Sequence, residues 1–414
     1  MQVLVDTQRI KIAKWIDEYL GRWLVRLVSW LRLRPRRALE TNVDRILFVK
    51  FWGIGSIILA EPALCYLRKK YPLASLDFLT LEQNRELFAL IPHVDRVHTV
   101  KLNNPFRFLL SAARLIARLR RQKYDLIFDA EFFANFSALA ARLSGPRRLI
   151  GFSQAGATRN RLLDVAVPFI KEHHAAENFF RLAMGEADNG SLRPPLPDEK
   201  MTRPKILMQP SRERKARLPR APYVVMNVNA SALALERRWP RERFVKLAQW
   251  VLGNYEAKIV LIGSRAEREY TQEVAQAIDA KNRVLNVAGE LSIVELADLI
   301  ADAALFISND SGPLHLAAAL QKPVVGFYGP ETPHRFGPLC RDRLIFYLGL
   351  QCSPCMSVDN AKTVNCTNHL RCMQDLEIAM VIPQLRRFIE ERVNLAWRQS
   401  LSETPLDVTE FSEC

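Results

Sequence analysis

Two series of short β-rich runs, each alternating with longer helical runs and separated by one proline-rich stretch, restrict this chain to few architectures. The first series comprises Arg45–Lys50 (RILFVK), Ser75–Thr80 (SLDFLT), Arg96–Lys101 (RVHTVK), Tyr124–Asp129 (YDLIFD) and Arg148–Phe152 (RLIGF). The second comprises Tyr223–Asn229 (YVVMNVN), Lys258–Gly263 (KIVLIG), Arg283–Val287 (RVLNV), Ala304–Ser308 (ALFIS) and Pro323–Tyr328 (PVVGFY). Strands interleaved with helices predict parallel, doubly wound α/β sheets. Between the series, Pro194, Pro195, Pro197, Pro204, Pro210, Pro219 and Pro222 sit among many charges, as in a linker followed by an exposed loop. The expected organisation is a basic extension over 1–40, a first domain over 41–185, the linker over 186–222, a second domain over 223–374, and a C-terminal helix and tail over 375–414. Two such units are expected to form a cleft, with ligands beyond the carboxyl ends of the strands.

The 414 residues carry a formal charge of +15 and 49% hydrophobic residues, which excludes disordered and collagen-like classes. Much of the excess is local. Residues 1–40 hold nine Lys or Arg against four acids, and Lys101–Lys123 holds seven bases and no acid. In the first stretch Trp15, Tyr19, Trp23, Leu27, Trp30 and Leu31 recur at helical spacing, with Arg22, Arg26, Arg32 and Arg34 between them. A helix of this kind suits the headgroup layer of an anionic membrane, or it docks on its own protein. No run reaches the roughly 18 apolar residues of a membrane span. Asp6, Asp17 and Glu18 interrupt any signal-peptide core, so a cytoplasmic location with peripheral attachment to the inner membrane is expected. Trp and Leu at helical spacing without a recognised nucleic-acid motif argue against nucleic acid as a partner.

The most informative stretch is Phe306–Pro338 (FISNDSGPLHLAAALQKPVVGFYGPETPHRFGP). A buried strand ends at Ser308, and Asp310, Ser311, Gly312 and Pro313 then turn into a helix from about Leu314 to Leu320. That geometry sets free backbone N–H groups and the positive end of a helix at the carboxyl edge of a strand, where a phosphate binds well. Asp310 in isolation reads better as a helix cap than as a ligand.

The run Asp310, Ser311, Gly312, His315, Leu316, Ala318, Ala319, Leu320, followed by Pro323, Val324, Tyr328, Gly329 and Pro330, resembles glycosyltransferase family 9, the ADP-heptose:lipopolysaccharide heptosyltransferases. The resemblance covers about Arg45 to Met373. It implies a GT-B fold of two Rossmann-like domains, with the nucleotide-sugar on the second and a lipid-linked saccharide acceptor on the first. It further implies that the backbone at Ser311–Pro313 holds the donor diphosphate, with His315 in the same motif, and that catalysis requires no metal cofactor. Arg237 falls where the family places a basic residue beside the donor phosphates, Glu267 where an acid binds the ribose, and Leu291 where an apolar residue lines the adenine pocket. The alternative readings are a solvated surface arginine, an exposed helix-start glutamate and a core leucine.

The N-terminal loop departs from the family pattern. Where the family shows Gly-Asp, with the Asp as general base, this chain reads Gly53-Ile54-Gly55-Ser56. A serine hydroxyl cannot accept a proton at neutral pH without a partner. The candidate bases are therefore Glu131, ranked first, Glu61 and Asp129. The expected reaction is inverting transfer of heptose from ADP-heptose to a lipopolysaccharide-core or other cell-surface glycolipid acceptor. The alternative is a family homologue that uses another donor, or one that binds nucleotide-sugars without transfer. The Gly53-x-Gly55 pair lacks the third glycine of a dinucleotide loop, which argues against a dehydrogenase.

Of seven cysteines, Cys352, Cys355, Cys366 and Cys372 have the spacing of a tetrahedral zinc site, with Cys340 and His369 nearby. A structural zinc, packed reduced thiols and a disulfide are the three readings of that spacing.

Overall fold

A computed structural model describes residues 17–31, 42–101, 105–132, 134–185, 202–208, 222–230, 234–280, 282–358, 364, 366–393 and 395. The chain divides into two compact units, 1–207 and 208–414.

In the first unit, helix α1 (Arg22–Trp30) precedes β1 (Arg45–Val49), α2 (Ile54–Leu59), α3 (Glu61–Lys70), β2 (Ser75–Leu81) and β3 (Arg96–Val100). Then follow α4 (Pro105–Gln122), β4 (Leu126–Asp129), α5 (Asn135–Leu143), β5 (Arg148–Ser153), β6 (Val165–Pro168) and α6 (Ala175–Met184). All strands pair in parallel in the order β3-β2-β1-β4-β5-β6. Parallel strands buried on both faces read as continuous apolar runs, which is why RILFV and LIFD form the centre of the sheet. The order reverses between β1 and β4, where Val49 lies opposite Asp129.

The second unit repeats this plan. It contains β7 (Tyr223–Asn227), α7 (Arg241–Asn254), β8 (Lys258–Leu261), α8 (Arg268–Ile278), β9 (Val284–Asn286), α9 (Ile293–Asp302) and β10 (Leu305–Asn309). It continues with α10 (Gly312–Ala319), β11 (Val324–Tyr328), α11 (Pro333–Phe336), β12 (Arg343–Tyr347), α12 (Arg371–Gln374) and α13 (Ile378–Arg392). The parallel order is β12-β11-β10-β7-β8-β9, with its reversal between β7 and β10, where Ser308 lies opposite Asn227. The core centres on Trp239, which stacks on Phe327 at 4.2 Å with its indole N–H donated to Leu376 O at 2.7 Å. Removing so large a buried side chain costs about 3–5 kcal/mol.

Four expectations change. The sequence reading lacks the sixth strand of each sheet, β6 and β12. Their runs, VAVP and RLIFY, are apolar, but each follows only a short helical turn, Thr158–Leu162 before β6 and α11 before β12, so the alternation of strands with long helical runs does not mark them. The last helix is shorter than Asp375–Trp397, and it is not an appendage: Val381, Ile382, Leu385 and Ile389 are buried in the same core as Trp250 and Trp239. The linker expected over 186–222 is partly docked, since within the described segment 202–208 the amides of Lys205 and Leu207 bond to Glu61 and Leu90 of the first unit.

The N-terminal helix docks on its own protein along one face. Val25 and Val28 of α1 bury against Ala138, Leu139 and Leu162. The Asp17 carboxylate accepts the amides of Asn135 and Phe136 at 2.9 and 2.6 Å, capping α5. The bulky side chains point away: Tyr19, Trp23 and Trp30 are 61, 58 and 79% exposed. Trp15, Arg32 and Arg34 lie outside the described residues.

Candidate active site

In the second unit, β10 ends at the topological switch point, where an open α/β sheet binds ligands. Asn309 is fully buried; its Oδ1 accepts the Trp239 amide at 2.8 Å and its Nδ2 donates to Asn229 O at 3.1 Å. The packed indole thus fixes the loop before α7, and that loop carries Arg237. Arg237 Nη1 donates to Asp310 Oδ2 at 3.1 Å, with both side chains largely buried. Asp310 is therefore an ion-pair partner and not a cap. The N-cap of α10 is Ser311, whose hydroxyl meets Ser308 Oγ at 2.8 Å and Asn227 Nδ2 at 3.0 Å and makes no capping bond. The first-turn amides of α10 receive no side-chain cap, and Pro313 contributes no N–H. Such a terminus carries about half a positive charge, and the guanidinium adds a full one beside it. The arrangement suits an anion with several oxygens.

The other residues expected at this site have more ordinary surroundings. Glu267 forms a capping box with Ser264, its Oε2 accepting the Ser264 amide at 2.8 Å and hydroxyl at 2.7 Å. Leu291 is half-buried in the loop entering α9, and His315 is buried on α10. Gly263, after β8, admits no side chain, because a Cβ would stand 2.6 Å from Asn229 Nδ2.

At the corresponding switch point of the first unit, Lys50 and Glu131 form an ion pair of 3.0 Å with both side chains nearly inaccessible. Glu131 Oε1 accepts the amides of Phe51 and, at 2.9 Å, Trp52. The carboxylate thus holds the loop that turns through Gly53, whose φ of +84° favours glycine, into α2 with Gly55 and Ser56. The Ser56 side chain lies against Gly53, its Oγ 3.2 Å from where a Cβ there would stand. Asp129 is fully buried and bonded to Arg159 Nη2 at 2.6 Å and Ser137 Oγ at 2.9 Å. Burial pushes its pKa up while the guanidinium pulls it down. Glu61 is buried in the first turn of α3, and burial raises its pKa to about 7 against the Lys205 amide bond. The three candidate bases thus differ in commitment: Asp129 is bridged, Glu131 holds the loop, and Glu61 keeps Oε1 without a hydrogen bond.

Sequence reasoning missed Lys50, Arg159, Asn227 and Asn309. Lys50, Asn227 and Asn309 are polar residues at the ends of otherwise apolar strands, which is the signal that marks such positions, whereas Arg159 lies in the helical turn Thr158–Leu162 and carries no such signal.

The cysteine loop is clipped to the segment after β11. Ser353 Oγ donates to Gly329 O, and the Met356 amide donates to Pro330 O at 2.9 Å. Cys352, Cys355, Cys366 and Cys372 are free thiols. The Leu370 amide donates to Cys366 Sγ at 3.2 Å, with His369 and Leu370 in the left-handed region at φ 48° and 55°. Burial, reinforced by the other three sulfurs, pushes the Cys372 thiol up to about 11. The donor set is that of a tetrahedral thiolate site, although among the described residues no three of these sulfurs lie within 4.8 Å of one another.

A family model described as glycosyltransferase family 9 (heptosyltransferase) matches residues 112–364. Lipooligosaccharide heptosyltransferase 2 of Haemophilus ducreyi is 24% identical over 319 residues, covering 73% of this chain and 88% of that protein. Among solved structures, ADP-heptose lipopolysaccharide heptosyltransferase II of E. coli aligns with a TM-score of 0.65 at 22% identity, over 84% of this chain and 99% of that one. A family 9 glycosyltransferase from Veillonella parvula gives 0.66 at 20% identity, over 86% and 99%. These likenesses establish the GT-B fold class, with two Rossmann-like α/β units.

Proposed function

The chain belongs to glycosyltransferase family 9, and on that premise we propose that this glycosyltransferase moves heptose from ADP-heptose, with inversion, onto the saccharide core of a lipopolysaccharide-type acceptor. The observation that carries the reading is the Ser311 turn: uncapped amides at the start of α10, with Arg237 fixed beside them by Asp310 and Trp239. The α10 amides hold the diphosphate, and Arg237 offsets the charge that grows on it as the sugar leaves. Leu291 and Glu267 lie toward the nucleoside, and His315 supports the turn. The second unit takes the donor and the first takes the acceptor.

Deprotonation of the acceptor hydroxyl is assigned to Glu131, the only one of the three candidate carboxylates bonded to the loop that carries Ser56. Its two oxygens already accept three bonds, which leaves about one of the four acceptor sites of a carboxylate open. That commitment favours a specific second reading, a homologue that binds the nucleotide-sugar and transfers slowly or not at all.

The outward face of α1 supports action at a membrane. Tyr19, Leu20, Trp23, Leu27, Trp30 and Leu31 are all exposed, with exposed Arg22 and Arg26 between them. Helix α4, which packs on α5 as α1 does, adds exposed Arg114, Arg118 and Arg121. Among the described residues no helix is long and apolar enough to cross a bilayer. Peripheral attachment to the cytoplasmic face of an anionic membrane brings the chain to a lipid-linked acceptor, with nucleic acid playing no part. Cys352, Cys355, Cys366 and Cys372 are proposed as ligands of a structural zinc outside the transfer step, whose binding would have to draw together sulfurs of which no three lie within 4.8 Å among the described residues. Metal content of protein prepared without chelator tests that assignment.

The reading as a whole is tested by offering ADP-heptose and a heptose-lacking core acceptor to the purified chain. Extension of the acceptor supports it; absence of both transfer and nucleotide-sugar binding defeats it.

A further inference from the structure

Glu61 and Cys65 stand one helical turn apart on α3 and so share a face. The loop residue His93 meets them there. One ligand atom from each of the three lies within 4.8 Å of the other two, and His93 Nε2 is 3.8 Å from Glu61 Oε1. That oxygen is buried and has no hydrogen-bond partner, while Oε2 is taken by the Lys205 amide at 2.7 Å. A buried carboxylate oxygen left unmatched is expensive, and an imidazole nitrogen at this distance does not satisfy it. His93 is also held in place at a cost. Its backbone has φ of 73°, a conformation non-glycine residues rarely adopt, and its carbonyl accepts Arg68 Nη2 at 2.9 Å.

We propose that Glu61, Cys65 and His93 form a binding site for one zinc ion, with Glu61 Oε1 at its floor and the half-buried thiol and imidazole at its rim. Carboxylate, thiolate and imidazole are the three ligand types zinc accepts, and three protein ligands leave a fourth position for water. Partial exposure of Cys65 and His93 supplies the path of entry. The charges balance, since a carboxylate and a thiolate neutralise the dication and the cysteine proton leaves to solvent on binding. Burial raises the Glu61 pKa, and the nearby Lys205 and Lys69 oppose that rise only in part. The site fastens α3 to the loop after β2 and to the segment that leaves the first unit. It is separate from the C-terminal cysteines, and it removes Glu61 from the set of free bases.

The test reads each cysteine separately. The full-length chain is treated with N-ethylmaleimide with and without zinc chloride, and alkylation is followed peptide by peptide in mass spectra. Zinc is expected to slow modification of Cys65 about tenfold in the wild type, with that protection lost in His93→Gln and in Glu61→Gln. His93→Gln changes a partly exposed loop side chain, so it keeps the test available if Glu61→Gln fails to fold. Equal Cys65 rates with and without zinc overturn the proposal. So does protection that persists undiminished in His93→Gln.

Discussion

Arg237 Nη1 lies 3.1 Å from Asp310 Oδ2, which ties the loop before α7 to the turn that opens α10. The pair sets a guanidinium beside a helix N-terminus before any ligand arrives, so little reorganisation is left for the reaction. Arg237→Ala is expected to lower kcat by about 10²–10³-fold. Arg237→Lys recovers only part of this, because an ammonium cannot reproduce the planar fork. Steady-state kinetics with ADP-heptose checks both variants.

Glu131 has two tasks in this account, holding the loop through Phe51 and Trp52 and accepting the acceptor proton. Glu131→Gln is expected to cut kcat by about 10²–10⁴-fold. Donor binding, measured by calorimetry with ADP-heptose, should change by no more than about threefold, less than half of the 1.4 kcal/mol that a tenfold change represents. Equal losses in binding and turnover would make Glu131 a loop anchor only.

The outward face of α1 is predicted to carry membrane affinity. Trp23→Ala with Trp30→Ala should weaken sedimentation with vesicles of phosphatidylglycerol and phosphatidylethanolamine by about tenfold or more. Raising salt toward about 1 M, where the screening length falls to about 3 Å, should weaken wild-type binding as well. The double substitution should leave the unfolding temperature unchanged, since both indoles are exposed.

Asp77 governs a pH response in the first unit. Burial alone would raise its pKa, yet bonds from His98 at 3.3 Å, Tyr124 at 2.6 Å and Ser75 at 3.0 Å hold it below the ordinary carboxylate value. A depressed folded value contributes stability that is complete above the unfolded pKa of about 4 and is lost as the pH falls through the folded one. Asp77→Asn is therefore expected to cost about 1–3 kcal/mol at pH 7 by urea unfolding. The difference should shrink as the pH falls below about 4.

The central strands and the donor turn were legible because their cause is local. RILFV and LFISN are continuous apolar runs, and the Asp310–Pro313 turn follows one of them directly. The strands β6 and β12 were not, although VAVP and RLIFY are apolar, because only a single short helical turn separates each from the strand before it and the strand–helix alternation is lost there. The periodicity of α1 revealed an amphipathic helix but not which side faces inward. Small size decides that: Gly21 approaches so closely that a Cβ there would stand 2.9 Å from Asn135 Cβ, so Gly21, Val25 and Val28 dock and the tryptophans turn outward. The Lys50–Glu131 pair joins residues 81 positions apart, and only the β1–β4 pairing brings them together. At Glu267 the sequence leaves two readings open, because a capping box and a ribose ligand place the same residue at the same strand-to-helix turn.

The central claim is single-displacement transfer from a nucleotide-sugar, and the configuration of the product tests it most directly. The chain is incubated with ADP-heptose and a heptose-lacking core acceptor, and the new glycosidic bond is analysed by nuclear magnetic resonance. Acceptor-dependent release of ADP and an anomeric configuration opposite to that of the donor are expected. A product that retains the donor's configuration, or no product alongside intact ADP-heptose binding, would contradict the claim.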